Sequence, residues 1–142
     1  MKKIKILIVE DEFLCLQVLQ AYLNSEEFIV SSAGDGLEAI QMFRNALAGH
    51  TPYKIIFMDI MLPKLDGLKT LLQIRDFEKD HGVTEEHKAK VIITSAVNDR
   101  KTILQTVTLG RISSFLAKPI DRNKLSKVMA QIVAEIQHPL VS

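Results

Sequence analysis

The chain has one cysteine, Cys15, in 142 residues, so an internal disulfide is excluded. A reducing compartment suits such a sequence. It also lacks any long apolar run. After Lys2, Lys3 and Lys5 the first such run extends only from Ile6 to Val9 before acidic residues interrupt it. That is too short for a membrane span and unlike a signal peptide, so the cytoplasm is the expected location. There is little excess charge of either sign. A net charge of +1 gives no broad electrostatic grip on nucleic acid or an anionic membrane, and neither is expected as a direct partner. His50, His81, His87 and His138 show no metal-ligand spacing and read as surface residues. Internal repeats, low-complexity segments and linkers are missing as well.

What is present fits one ordinary domain, with 47% hydrophobic and 25% charged residues. The central stretch is Ile55-Ile56-Phe57-Met58-Asp59. Four apolar residues in a row read as a strand buried on both faces, closed by an aspartate. Pro63 stops the strand, and Asp66-Gly67 supplies turn chemistry. On this stretch alone, Asp59 could equally cap the next helix.

Four more short β-rich runs flank it: Ile4 to Val9, Phe28 to Val30, Val91 to Thr94 and Ser114 to Ala117. Helical spacing lies between and after them. Phe13 to Asn24 carries Leu16, Leu19 and Leu23, with Cys15, Val18 and Tyr22 widening the stripe. After Gly34-Asp35-Gly36, with Asp35 as cap, come Ile40, Phe43 and Leu47. After Gly67 come Leu68, Leu71 and Leu72, running into the charged stretch from Asp76 to Lys88, which reads as a solvated helix end and loop. Asp99 to Leu109 would point Ile103, Leu104 and Val107 inward. Asp121 caps a last helix with Leu125, Val128, Met129, Ile132, Val133 and Ile136. The order is β-α five times over. The expected fold is therefore α/β, a five-stranded parallel sheet, doubly wound as (βα)5 in a flavodoxin-like three-layer sandwich. The domain would fill residues 1–138, with 139–142 as a short tail.

In such a sheet the strand ends share one edge. That edge collects Glu10, Asp11, Asp59, Ser95 and Lys118. Clustered carboxylates repel unless a cation shares the site, and Lys118 and a hard ion such as Mg²⁺ are the candidates. Taken singly, Lys118 reads as a surface lysine and Ser95 as a helix cap.

Together the pieces resemble the receiver domain of two-component response regulators, from Ile4 to about Ile136. They are Val9-Glu10-Asp11-Glu12, Met58-Asp59-Ile60-Met61-Leu62-Pro63 with Asp66-Gly67, Thr94-Ser95-Ala96, and Phe115-Leu116-Ala117-Lys118-Pro119. The resemblance implies that Asp59 accepts a phosphoryl group, with Lys118 and Ser95 contacting its oxygens. It implies Mg²⁺ held by Asp11, Asp59 and the backbone carbonyl of Met61, with Glu10 acting through a water. It implies a cis bond before Pro119, and a switch in which Ser95 and Phe115 move together. The face made by the fourth helix, fifth strand and fifth helix would then signal to a partner or form a homodimer. The donor would be a sensor histidine kinase or a histidine phosphotransfer protein; the output would be a downstream protein or a fused domain. Two departures from the pattern concern loops: Arg111 stands where the family usually has glycine, and the stretch from Asp76 to Lys90 is long.

Three other functions compete. A haloacid-dehalogenase-type phosphatase needs a second acid two residues after the nucleophile, where this chain has Met61. Flavin binding would want a hydroxyl- and glycine-rich loop after the first strand, and this one is acidic. A receiver-like module used only for binding would not need the complete acid, lysine and serine set. Met61 and Val97, both apolar, would flank the path of a hydrolytic water, which predicts slow self-dephosphorylation.

Overall fold

The computed structural model describes residues 2–96 and 100–138. Five strands, β1 (Ile4–Val9), β2 (Phe28–Ala33), β3 (Ile55–Asp59), β4 (Lys90–Ser95) and β5 (Ser114–Ala117), alternate with five helices. The helices are α1 (Phe13–Tyr22), α2 (Gly36–Ala48), α3 (Gly67–Asp80), α4 (Arg100–Gly110) and α5 (Arg122–Gln137), and one 3₁₀ turn, Glu85–His87, precedes β4. The sheet is wholly parallel in the order β2-β1-β3-β4-β5. The (βα)5 expectation holds.

Alternation along the central strands splits the core in two. Leu7, Val9, Ile56, Met58, Val91 and Ile93 pack with Phe43 of α2 and Leu71 and Ile74 of α3. Ile6, Ile8, Ile55, Phe57 and Ile92 face the other way, onto Leu19 of α1 and Leu125, Met129 and Ile132 of α5. Both faces of β3, and of β1 apart from the half-buried Lys5, are thus dry, which is why those strands read as continuous or nearly continuous apolar runs. Asp35, Asp66 and Asp121 cap α2, α3 and α5, each accepting the N–H three residues on. Such caps are worth about 1 kcal/mol each. Because Asp66 caps α3, Asp59 is left for other work. No helix among the described residues is long and apolar enough to cross a membrane.

Several local expectations need correction. α1 ends at Tyr22, and its Val18 and Tyr22 lie toward solvent instead of widening the buried stripe. β2 continues through Ser31 to Ala33, because pairing with Leu7 to Val9 supplies what propensity does not. In α4 the apolar Leu104 and Val107 are exposed, while Thr106 is fully buried and Ile103 half-buried. The charged stretch is not simply solvated, since Glu78 is buried. The expected helix start at Asp99, Val97 and the 139–142 tail lie outside the described residues.

One glycine sets how closely α3 approaches the end of β3. A Cβ on Gly67 would lie 2.2 Å from the Asp59 carbonyl oxygen and 2.8 Å from Ile60 Cα. Both neighbours are backbone and cannot rotate away. Gly67→Ala should therefore cost about 2 kcal/mol or more in urea denaturation, as overpacking in a close-packed core does. A loss below about 0.5 kcal/mol would mean that the contact relaxes freely.

Candidate functional site

Strand register assembles the site. Val9 pairs with Met58, so Glu10 and Asp59 are the next residues along two adjacent strands. Asp59 pairs with Thr94, and Ser95 pairs with Ala117, so Lys118 follows directly. The Lys118 N–H donates to the Ser95 carbonyl at 2.9 Å, which extends the β4–β5 ladder to the lysine. The Lys118–Pro119 bond is cis. The edge lies where the order turns from β1 toward β2 on one side and toward β3 on the other, the usual ligand crevice of doubly wound sheets.

Lys118 Nζ sits between two carboxylates, 2.8 Å from Asp59 Oδ2 and 2.7 Å from Glu10 Oε1. Both acids are buried, at 2% exposure for Glu10 and 3% for Asp59. Asp59 Oδ1 accepts the Met61 N–H at 2.9 Å, and Glu10 Oε2 accepts the Glu12 N–H at 3.1 Å. Asp11 is exposed at the rim, yet oxygens of Glu10, Asp11 and Asp59 all lie within 4.8 Å of one another. Ser95 is buried at the same edge, and Met61 stands exposed above Asp59. Phe115 is half-buried against the α2–α3 side of the core.

One ammonium therefore serves two buried acids. Burial pushes the Asp59 carboxyl above its ordinary range, and the Glu10 charge adds to that, against the pull of Lys118 and the Met61 N–H. Burial alone would lower the Lys118 ammonium, but contact with Asp59 and Glu10 outweighs it and the group ends above its usual value. The Cys15 thiol is pushed up to about 12, mainly by burial and then by the Glu10 carboxylate beside it, so it is inert packing.

The donor set suits a divalent cation. Three carboxylates against one ammonium leave two uncompensated negative charges. Glu10 Oε1, though in contact with Lys118, has no hydrogen bond aimed at it. All-oxygen ligation with open positions is what Mg²⁺ takes.

Every described residue expected at the site is at this edge except Phe115, which lies two strand positions back from Ala117, level with Ile93. Two contacts were not foreseen: the direct Glu10–Lys118 pair and the Met61 N–H on Asp59. The first could have been read from the parallel register, which sets Glu10 level with Asp59; the second needs the turn geometry itself.

The sequence pattern of the response regulator receiver domain matches residues 6–130. The chain belongs to that family. The receiver is 33% identical over 135 residues to the osmosensing histidine protein kinase SLN1 of Saccharomyces cerevisiae, a match covering 94% of this chain but 10% of that kinase's length. Among solved structures it is similar to the CheX–CheY–BeF3–Mg complex of Borrelia burgdorferi, at 28% identity, with a TM-score of 0.77 over 93% of this chain and 90% of that one. It is also similar to a Saccharomyces cerevisiae co-crystal of the histidine phosphotransfer protein Ypd1 with the receiver domain of Ssk1, at 26% identity, with a TM-score of 0.78 over 98% and 95% of the two chains.

The raised Asp59 carboxyl has a sign that can be tested. The folded receiver holds that proton more tightly than the unfolded chain does. Stability therefore falls as pH rises from the ordinary value of 3.8 through the raised one, and stays lowered above it. Asp59→Asn should remove this cost and leave the receiver more stable than wild type at pH 7 in the presence of a chelator, measured by urea denaturation. Saturating Mg²⁺ should stabilise wild type and narrow the gap. A destabilised variant in chelator would show that the Lys118 pairing outweighs burial.

Proposed function

We propose that Asp59 accepts a phosphoryl group from a phosphohistidine donor. The observation that carries this reading is Lys118 Nζ held between Asp59 and Glu10 at a buried strand edge beside Ser95. Asp11, Asp59 and the Met61 carbonyl would hold Mg²⁺ directly, with Glu10 acting through a water. When bound, the ion supplies Lewis-acid compensation for charge on the phosphoryl oxygens.

The receiver's own residues then divide the work. An Asp59 carboxylate oxygen forms the new bond to phosphorus; the bond from phosphorus to the donor imidazole nitrogen breaks, and that nitrogen keeps the electron pair. Lys118 follows the charge from the carboxylate to a phosphoryl oxygen, and the Ser95 hydroxyl donates to another. Phosphoryl transfer asks for this kind of positioning and charge compensation more than for covalent chemistry. Ser95 moves toward the phosphoryl group, and Phe115, with no phenol hydroxyl, turns into the space by packing alone. The face of α4, β5 and α5 changes with it, and a downstream protein, a fused output domain or a second copy reads that face.

A sensor histidine kinase or phosphotransfer protein is the donor this chemistry fits. The SLN1 kinase and the Ypd1–Ssk1 pair support that class of partner. Phe13, Leu14 and Met61 are each about two-thirds exposed, and sequence position sets all three around the site's mouth. An apolar rim of this kind gives a donor protein something to rest on while its histidine reaches Asp59.

Incubation with Mg²⁺ and a small acyl phosphate should add one phosphoryl group by intact mass, labile to hydroxylamine and absent in Asp59→Asn. Lys118→Ala should slow its formation about a hundredfold, as loss of a pre-placed charge does. No adduct on a receiver shown to bind Mg²⁺ would leave only the binding-module reading. Steady release of phosphate over many turnovers would instead support a phosphatase. Met61 cannot orient a hydrolytic water, so the adduct should last minutes or longer; a lifetime of seconds would overturn that role.

A further inference from the structure

The edge of the sheet opposite Asp59 is basic. Parallel strands all start there, and lysines gather at the starts: Lys2 and Lys3 run into β1, Lys5 lies near its beginning, and Lys54 precedes β3. All of them line one cavity of about 680 Å³. Its other wall is aliphatic, made by Ile4, Ile29, Pro52 and Ile136. No acid is among its described lining residues. Glu26 and Glu27, the acids before β2, are exposed and line no part of it. Glu135 of α5 is held by Lys90 at 3.6 Å.

One of these lysines has a local task. Lys5 Nζ donates to the Thr51 carbonyl at 2.8 Å and lies 4.6 Å from the centre of the Tyr53 ring. It thereby pins the loop between α2 and β3 that forms one side of the cavity. The Lys54 N–H donates to the Lys5 carbonyl at 2.9 Å, which fixes Lys54 beside β1. Lys2, Lys3 and Lys54 have no acidic partner among the described residues. Like charges gathered without a counter-ion repel, and a bound anion relieves them. The whole chain carries only +1, so this field is local. A duplex or a membrane needs an extended positive surface, whereas a small anion can use a local one inside a concavity. The cavity has the volume of an ordinary small-molecule site, and ammonium groups meet phosphate as point charges. Ile29, 46% exposed, gives an apolar body something to rest on.

We propose that this cavity binds a small organic polyphosphate of nucleoside di- or triphosphate size. Its phosphates meet Lys2, Lys3 and Lys54, and its body lies against Ile29 and Ile136. Lys5 and Glu10 stand at opposite ends of β1, about 17 Å apart in an extended strand. The ligand and a phosphoryl group on Asp59 can therefore be present together, and the proposal does not depend on the reading of Asp59.

ATP titrated into the full chain in metal-free, phosphate-free buffer, followed by amide chemical shifts, tests this. Without metal, the nucleotide has no cation to bridge it to the acidic edge. Amides of Lys3, Lys5, Ile29, Thr51 and Lys54 should shift saturably, with a Kd of about 1 mM or tighter at low salt. Those of Asp11, Met61 and Lys118 should stay in place. Binding should weaken about tenfold between about 0.05 M and about 0.5 M salt. Lys3→Gln combined with Lys54→Gln should weaken it about fivefold or more. Lys124→Gln combined with Lys127→Gln, two exposed lysines of α5, should leave it unchanged. Ile29→Ser should weaken ATP more than inorganic tripolyphosphate. No saturable shift, shifts centred on the acidic edge, or equal losses in the two lysine pairs would overturn the site. Tripolyphosphate binding as tightly as ATP would overturn the assignment to an organic ligand. Co-sedimentation with phosphatidylcholine vesicles containing phosphatidylinositol bisphosphate, with no shift by ATP, would overturn the free ligand in favour of a lipid headgroup. If the Lys3 and Lys54 double variant failed to fold, the wild-type shift map and its salt dependence would still decide.

Discussion

The rest of the site depends on an ammonium placed between two acids that the sheet has taken out of water. A buried carboxylate without a partner is costly, and Glu10 and Asp59 share Lys118 as theirs. That shared partner is a stand-in. It balances one of the charges and leaves Asp59 strained toward its neutral form. A site in this condition gains from anything that brings more positive charge, and from any reaction that lets the lysine follow charge moving off the carboxylate. The chemistry and the instability of the resting state have the same origin.

Parallel topology makes such a placement cheap. No two of Glu10, Asp59, Ser95 and Lys118 need to be near in sequence, because register alone delivers them to one edge. The dry interior of β1 and β3 fixes that register, since a slip by one residue would exchange the two core faces. Core packing and site geometry are thus one constraint expressed twice: the apolar alternation that holds the sheet also aims the acids.

This is also why the site was more legible than parts of the scaffold. β1, β3 and β5 could be read residue for residue from apolar runs closed by polar side chains, and the strand-end residues followed. α4 misled because its apolar spacing is real but faces outward, where Leu104 and Val107 meet solvent and Thr106 is buried instead. Periodicity marks a stripe and does not say what covers it. Glu78 misled for the opposite reason. A charged residue in a charged stretch reads as wet, and its burial depends on Arg75 one turn earlier and on Ala89, which only the fold brings near. Arg111 was noticed as a departure from a glycine position, and its left-handed backbone accounts for the preference without removing it.

Between Met61, whose N–H serves Asp59, and the Asp66 cap, the stretch from Leu62 to Leu65 has one more property. Its two ends are clamped together, with the Gly67 N–H on the Ile60 carbonyl at 3.0 Å and no space for even a methyl group between α3 and the end of β3. A loop closed in this way is insulated from the parts it joins. Lengthening it would push residues outward over the mouth of the site, while Asp59 and α3 kept their places, and the entropic cost would grow only slowly with length. Evolution or an engineer could therefore graft recognition onto this loop, altering which donors are admitted without retuning the chemistry beneath.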